Sequence, residues 1–432
     1  MASSDEAGLK RTLGFWALLS YGLGDILGAG IYALMGKVAG AAGIYAWLAF
    51  GVSLMAAAVT ALTYSELVTR FPRSGGEAFY TQQGFRWSLV STVTGWLVFC
   101  AGTLSLSAIA VAFAGYLQNM LPGLSSAFTI AAFIVTLGFI NFWGIRESSV
   151  ANIVCTVIEA LGLVIVIVLG SLYLASNGSQ PAAPVADGSD VNWVGVMQGA
   201  ALAFFAFIGF QDMVNVAEEV KSPERHFPTA ILAALGVAGL MYIIIAVIAT
   251  RVVDPATLGN SSAPLNDVVA TASDDGRIQE LFPVIALFAV ANTGLLNFIM
   301  ASRLLYGMAE QELLPVRLAR VHPWRRTPHW AILTVLAAAL ALSLSGTLDY
   351  LAGSTSTLLL IVFFTVNLAL IMLKRRDKDT DGDGFRVPLA VPLLGVAITG
   401  GVIGFAQPTA LATAAGLIAV GSGLWGIRRF SR

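Results

Sequence analysis

"YGLGDILGAGIY", residues 21–32, sets a carboxylate, Asp25, among four glycines, Gly22, Gly24, Gly28 and Gly30, inside a stretch otherwise apolar enough to cross a membrane. Each glycine costs a helix interior about 1 kcal/mol relative to alanine, so this run weakens its own helix at the centre. Phe204–Val220, "FFAFIGFQDMVNVAEEV", has a comparable fault, with Gly209, Gln211, Asp212 and Asn215 interrupting a second apolar run. Where a helix parts at mid-membrane, one half presents free N–H groups at a positive dipole end and the other presents free C=O groups at a negative end. Main chain around Gly28, Ala29 and Gly30 suits a carboxylate. The carbonyls near Ile26 and those of Phe205, Ala206 and Ile208 suit an ammonium, so the two breaks together fit a zwitterion. Glycine admits such a ligand to the backbone because no side chain stands in the way. A second reading is close packing, since Gly24 and Gly28 have the GxxxG spacing that lets membrane helices touch. Asp25 and the matching second interruption favour a binding role, because an intramembrane carboxylate must face protein, water or ligand.

Other side chains carry further chemistry. Glu159 lies in an apolar run, where an ionisable group is functional by default. It is expected to carry a coupling proton or to hold a substrate ammonium; the structural alternative is a carboxyl hydrogen-bonded to a neighbouring helix. Asp25 and Asp212 are either gate groups or caps of broken half-helices. Phe207 and Phe210, crowded with Phe204 and Phe205 at the second break, either close over a ligand or belong to the core. Asn292, Thr293, Asn297 and Ser302 offer oxygens for a sodium ion, or simply hydrogen bonds between helices. Glu218, Glu219, Lys221, Glu224 and Arg225 with Glu66, Arg70 and Arg73 form either an inner gate of ion pairs or solvated helix ends. "DTDGDG", residues 379–384, has a calcium-loop look but lacks the terminal Glu and flanking helices, and reads as a linker; no metal site is expected.

The elements that must position these groups are membrane helices. Of 432 residues 57% are hydrophobic and 11% charged, against roughly 25% charged in soluble domains. About twelve apolar runs are each long enough to span about 30 Å of hydrocarbon: 13–39, 43–69, 87–117, 126–143, 149–174, 193–217, 228–251, 280–308, 329–345, 355–373, 388–406 and 409–427. The short alternating segments of a membrane barrel are absent. Net charge is −1, which argues against a nucleic-acid partner. With the N-terminus inside, all but three of the 24 Lys and Arg fall on the cytoplasmic side, the exceptions being Lys37, Arg251 and Arg277; both termini are therefore expected in the cytoplasm. "MASSDEAGLK" lacks the order of a signal peptide, so the first span is expected to persist. His226, His322 and His329 sit at cytoplasmic ends, and Cys100 and Cys155 have no ligand partner nearby, so metal or Cys–His catalysis lacks parts. A channel is disfavoured because no span carries a ring of charges or a filter-like loop.

Residues 13–174 make five spans and 193–373 five more, and an odd number makes the second block run oppositely to the first. The remaining divisions are a tail at 1–12, an outer loop at 175–192, an inner loop at 374–387 and two added helices within 388–432. Four blocks in order, "GDILGAGIYALMG", "TYSELVTRFPRSGGEAFYT", "FFAFIGFQDMVNVAEEVKSPERHFPTAI" and "ASRLLYGMAEQELLPVRLARVHP", resemble the amino acid–polyamine–organocation (APC) superfamily of transporters. The resemblance implies an all-α integral membrane protein of LeuT-type fold, with five plus five inverted helices, helices 1 and 6 broken, and alternating access. It implies an amino acid substrate and no cofactor. Proton-coupled relatives place a lysine on helix 5 where Glu159 stands here, and relatives carrying cationic amino acids place an acid on helix 3 shortly after a Gly-Trp pair. Here Gly95-Trp96 leads into Leu97, Val98, Phe99, Cys100 and Ala101. The expectation is a secondary transporter of the cell membrane, most simply for an amino acid with a neutral side chain. The proton is the first choice of coupling ion; sodium, exchange and oligomeric state stay open.

The charge asymmetry makes a direct prediction. In a bacterial inner membrane, a green fluorescent protein fused after Arg432 should fluoresce and an alkaline phosphatase at the same point should be inactive. The opposite result would turn the topology over.

Overall fold

Hydrocarbon offers no hydrogen bonds, so each long apolar run must satisfy its own main chain as a helix. The computed structural model describes residues 14–71, 76–143, 149–178, 191–310, 314–325, 327–376 and 384–430, with main chain only at 149–153, 215–219, 428 and 430. In chain order the helices are α1 (Phe15–Ile26), α2 (Ala29–Ala42), α3 (Ala46–Arg70), α4 (Gly76–Phe85), α5 (Ser88–Met120), α6 (Ser126–Trp143), α7 (Ser149–Asn177) and α8 (Trp193–Ala203). After two 3₁₀ segments, Phe204–Phe207 and Phe210–Glu219, come α9 (Pro223–Val252), α10 (Pro255–Asn260), α11 (Pro264–Ala272), α12 (Gly276–Glu310), α13 (His329–Ser345), α14 (Leu348–Arg376), α15 (Ala390–Ile403) and α16 (Pro408–Phe430). Among the described residues, nine helical stretches are long and apolar enough to cross a membrane, and α13 and α15 are shorter apolar helices. The protein is all-helical and multi-pass. The acidic linker residues Asp379, Asp381 and Asp383 lie outside the described residues.

The first run, expected as one span over 13–39, is two helices separated by Leu27 and Gly28. Its halves have different neighbours: α1 packs on α7 and α9, and α2 packs on α8 and α10. α3 runs along α9, while α5 lies against both α12 and α14. Short side chains set these separations. A Cβ built on Gly84 of α4 would lie 2.5 Å from the Ala369 Cβ of α14, and one on Gly40 of α2 would lie 3.0 Å from the Gly259 Cα of α10.

Polar bonds join the C-terminal ends of α3 and α14. Fully buried Glu66 accepts from Arg70 one turn on at 2.5 Å, from Lys374 Nζ at 2.7 Å and from the Val387 N–H at 2.8 Å. Lys374 also donates to the Val387 carbonyl at 2.6 Å, so α3, α14 and the approach to α15 share one carboxylate. Deeper in the bundle, Asn367 accepts from Thr63 at 2.6 Å and donates to Thr60 at 3.2 Å. A Cβ on Gly395 of α15 would stand 2.3 Å from the Asn367 Oδ1. The inner-gate grouping is thus rearranged. Glu66 pairs with Arg70 and with Lys374; Lys221, Glu224 and Arg225 are exposed, and Arg73 and the side chains of Glu218 and Glu219 lie outside the described residues.

Breaking a buried ion cluster from one side leaves uncompensated charge. Glu66→Gln should therefore lower stability by about 3 kcal/mol, read as a fall in melting temperature in detergent. Replacing Glu66 and Lys374 together by Met should recover part of that loss; an unchanged melting temperature in the single variant would show the cluster to be inconsequential.

Candidate functional site

The two interruptions are built from the main chain outward. The Leu27 N–H still bonds the Leu23 carbonyl at 2.8 Å, but Gly28 turns to φ −68°, ψ −143°, and the helical ladder stops. Two hydroxyls from distant helices meet the exposed groups. Tyr242 of α9 donates to the Ile26 carbonyl at 2.6 Å. Thr293 of α12 accepts from the Ala29 N–H at 2.9 Å and donates to the Ala289 carbonyl at 3.0 Å. Thr293 can reach the break because residue 28 is glycine: a Cβ there would lie 1.9 Å from Thr293 Oγ1.

At the second interruption α8 tightens into the 3₁₀ turn Phe204–Phe207, Ile208 extends at φ −63°, ψ 138°, and Gly209 adopts φ +128°, a region that only glycine enters without strain. The Ile208 N–H bonds the Phe205 carbonyl at 3.2 Å. Gln211 receives the Gly209 N–H on Oε1 at 3.0 Å and donates to Asp212 at 3.3 Å. The two breaks face each other at backbone range. A Cβ on Gly30 would lie 2.4 Å from Ala206 Cα, and one on Gly209 would lie 2.8 Å from the Asp25 carbonyl. That same Gly209 position lies 3.1 Å from Asp25 Cγ, so the Asp25 carboxyl turns toward the Gly209–Asp212 turn.

The remaining residues singled out in the sequence surround this junction. Ile26, Gly28, Ala29, Gly30, Phe205 and Ala206 are buried in it, and Ile208 is half-buried. Phe207 lies against Phe50 and Tyr242, with ring centroids 6.5 and 5.4 Å apart. Phe210 lies against Tyr64 and Phe363 at 5.8 and 5.2 Å. Both rings therefore form walls of aromatic clusters in this conformation. Glu159 is fully buried on α7. Its Oε1 accepts from Asn292 at 3.0 Å, its Oε2 has no hydrogen-bond partner, and its main-chain carbonyl receives the Tyr32 hydroxyl at 3.0 Å. Tyr116 in turn donates to the Tyr32 carbonyl at 2.9 Å, tying α5, α2 and α7 together. Asn297 bonds the Thr293 carbonyl and Ser302 the Ile299 carbonyl, each at 3.0 Å. Of the four polar groups weighed on α12, only Asn292 and Thr293 thus bond to Glu159 or to the first break.

Sequence reasoning passed over Tyr242, Tyr32 and Tyr116. The available signal was a tyrosine within an otherwise apolar helix, since its hydroxyl needs a partner once buried.

Two discontinuous helices meeting backbone to backbone inside a many-span bundle define the class: a membrane transporter. The chain belongs to the amino acid permease family, whose model matches residues 13–426. It is 28% identical to the branched-chain amino acid permease BcaP of Bacillus subtilis over 417 residues, 92% of this chain and 88% of that one. An uncharacterized transporter of Mycobacterium tuberculosis is 32% identical over 429 residues, 98% and 92% of the two chains. The glutamate/serine transporter AimA of B. subtilis is 27% identical over 404 residues, 86% and 72%. Family members so named carry branched-chain or other amino acids.

The contact between the breaks tolerates no added atom. Gly30→Ala should cost about 1–3 kcal/mol of strain, because the Ala206 backbone must move. Gly236→Ala, where a Cβ meets open space, should be neutral or gain roughly 0.5–1 kcal/mol. Melting temperatures of the two variants compared with native protein would decide, and equal values would mean the junction is looser than drawn.

Proposed function

We propose that the protein is a secondary active transporter that moves an amino acid with a neutral side chain across the cell membrane by alternating access, driven by protons. The observation that carries the reading is the meeting of the two breaks at Gly30 and Ala206, where main-chain donors and acceptors lie side by side. The α-carboxylate takes the N–H groups around Gly28, Ala29 and Gly30. The α-ammonium takes the carbonyls of Ile26, Phe205, Ala206 and Ile208. Thr293 and Tyr242 pair with the Ala29 N–H and the Ile26 carbonyl, so that neither group is left unpaired. Phe207 and Phe210 repack as the site opens, and Asp25 and Asp212 hold the turn between them. The helices support a fold of five plus five inverted spans with α15 and α16 added, the broken first span being α1 with α2 and the sixth being α8 with its 3₁₀ continuation. Both termini face the cytoplasm.

Glu159 is the proposed proton carrier. It is buried, half-satisfied and on α7, which packs against α1 of the first break, and a carboxyl in that setting is retained for function rather than for stability. The relatives named for branched-chain amino acids and for glutamate and serine support an amino acid as cargo. The absence of an acidic residue after Gly95-Trp96 favours a neutral side chain over a cationic one.

The test is uptake of radiolabelled leucine, valine, serine, glutamate and arginine into proteoliposomes, with and without an inward proton gradient. A neutral amino acid should accumulate only with the gradient, and Glu159→Gln should abolish accumulation while exchange persists. Uptake that requires only internal amino acid would make the protein an exchanger, and no uptake of any would end the amino acid reading.

A further inference from the structure

The segment that carries the chain from α12 into α13, "LPVRLARVHPWRRTPHW" at residues 314–330, holds four arginines and two histidines and no Asp or Glu. We propose that this segment, together with the end of α6, is a binding surface for the headgroup of an anionic phospholipid. Arg317, Arg320 and Arg325 take the phosphodiester, and Trp324 enters the lipid beside them.

The segment is fixed in shape against the membrane helices. Thr327 donates to the Phe142 carbonyl near the end of α6 at 3.1 Å, and the main-chain N–H groups of His322 and His329 both bond the Thr327 carbonyl at 2.9 Å. His322 Nδ1 accepts the Arg325 N–H at 3.3 Å. The Arg325 guanidinium carbon stands 3.7 Å from the centre of the Trp143 ring, a contact that orients the cation without using any of its five donors. Arg317 and Arg320 lie one turn apart across the 3₁₀ turn Val316–Ala319, and a spacing of three puts both on one side of it. All three arginines are exposed, and among the described residues none has a carboxylate partner. Glu310, at the end of α12, is bonded by Tyr306 instead. Guanidinium forks match phosphate oxygens in pairs, so the surface offers donors of the right geometry for a headgroup.

The position of the surface selects a lipid over a small soluble anion. α6 is long and apolar enough to cross a membrane; Trp143 is its last residue, and Trp330 is the second residue of α13, which packs on α6. Both rings are exposed, as tryptophans are where a span meets the headgroups. Among the arginines, Trp324 is 91% exposed, and Val316 and Val321 are exposed with it. A free phosphate would leave those apolar groups in water. A phospholipid brings its headgroup to the cations and its acyl chains to the apolar groups, so both kinds of surface are used at once.

The experiment is a titration of melting temperature for the purified full chain in detergent, with dioleoylphosphatidylglycerol, dioleoylphosphatidylcholine or inorganic phosphate added. The anionic lipid should raise the melting temperature of native protein at concentrations where the zwitterionic lipid and phosphate have no effect. A variant combining Arg317→Gln, Arg320→Gln and Arg325→Gln should need on the order of 100-fold more anionic lipid for the same rise, roughly fivefold for each arginine. Trp324→Ala, which removes a side chain that faces solvent, should also weaken the response, whereas Arg277→Gln at the other end of α12 should keep it. Equal responses of native protein to the two lipids, a native response in either surface variant, or the same rise with inorganic phosphate would overturn the proposal. No amino acid is present, so these outcomes are independent of the transport reading.

Discussion

A main-chain N–H or C=O inside hydrocarbon has no water to turn to, and leaving one unpaired costs several kcal/mol. A membrane helix can therefore be broken only where other parts of the protein complete its hydrogen bonds. Here α9 supplies Tyr242 to the end of α1, α12 supplies Thr293 to the start of α2, and Gln211 covers the Gly209 N–H within the second break. The placement of α9 and α12 beside the first span follows from that requirement. So does the choice of residue, since each donor or acceptor is a hydroxyl or amide at the end of a side chain whose remainder is compatible with an apolar helix.

Small residues are the second condition. Backbones approach closely at Gly30 and Ala206, at Gly209 and Asp25, and at Gly40 and Gly259. These contacts divide the first span between two sets of neighbours, with α1 held by α7 and α9 and α2 by α8 and α10. A continuous helix would transmit any displacement along its whole length. A helix parted at Leu27 and Gly28 lets its two halves follow different partners.

The buried carboxyls differ in how completely they are matched. Glu66 has Arg70, Lys374 and a main-chain N–H around it and secures α3 to α14. Glu159 has one amide partner and a bare oxygen. Matching of the first kind removes a group from chemistry, because its charge is already spoken for. Incomplete matching leaves the second with an unused acceptor.

The sequence by itself determined the all-helical, many-span class and the faults at Gly28 and Gly209. These follow from local properties: apolar length, the helix-weakening effect of glycine, and the energy of placing charge in a membrane. It also singled out Glu159, because a carboxylate within an apolar run is visible without any partner. Which groups meet the faults was decided only by tertiary structure. Tyr242 lies 216 residues from Ile26, Thr293 lies 264 from Ala29, and Lys374 lies 308 from Glu66. A hydrogen bond depends on direction and on distances of about 3 Å, and nothing in the local pattern of a chain specifies which distant residue will meet them.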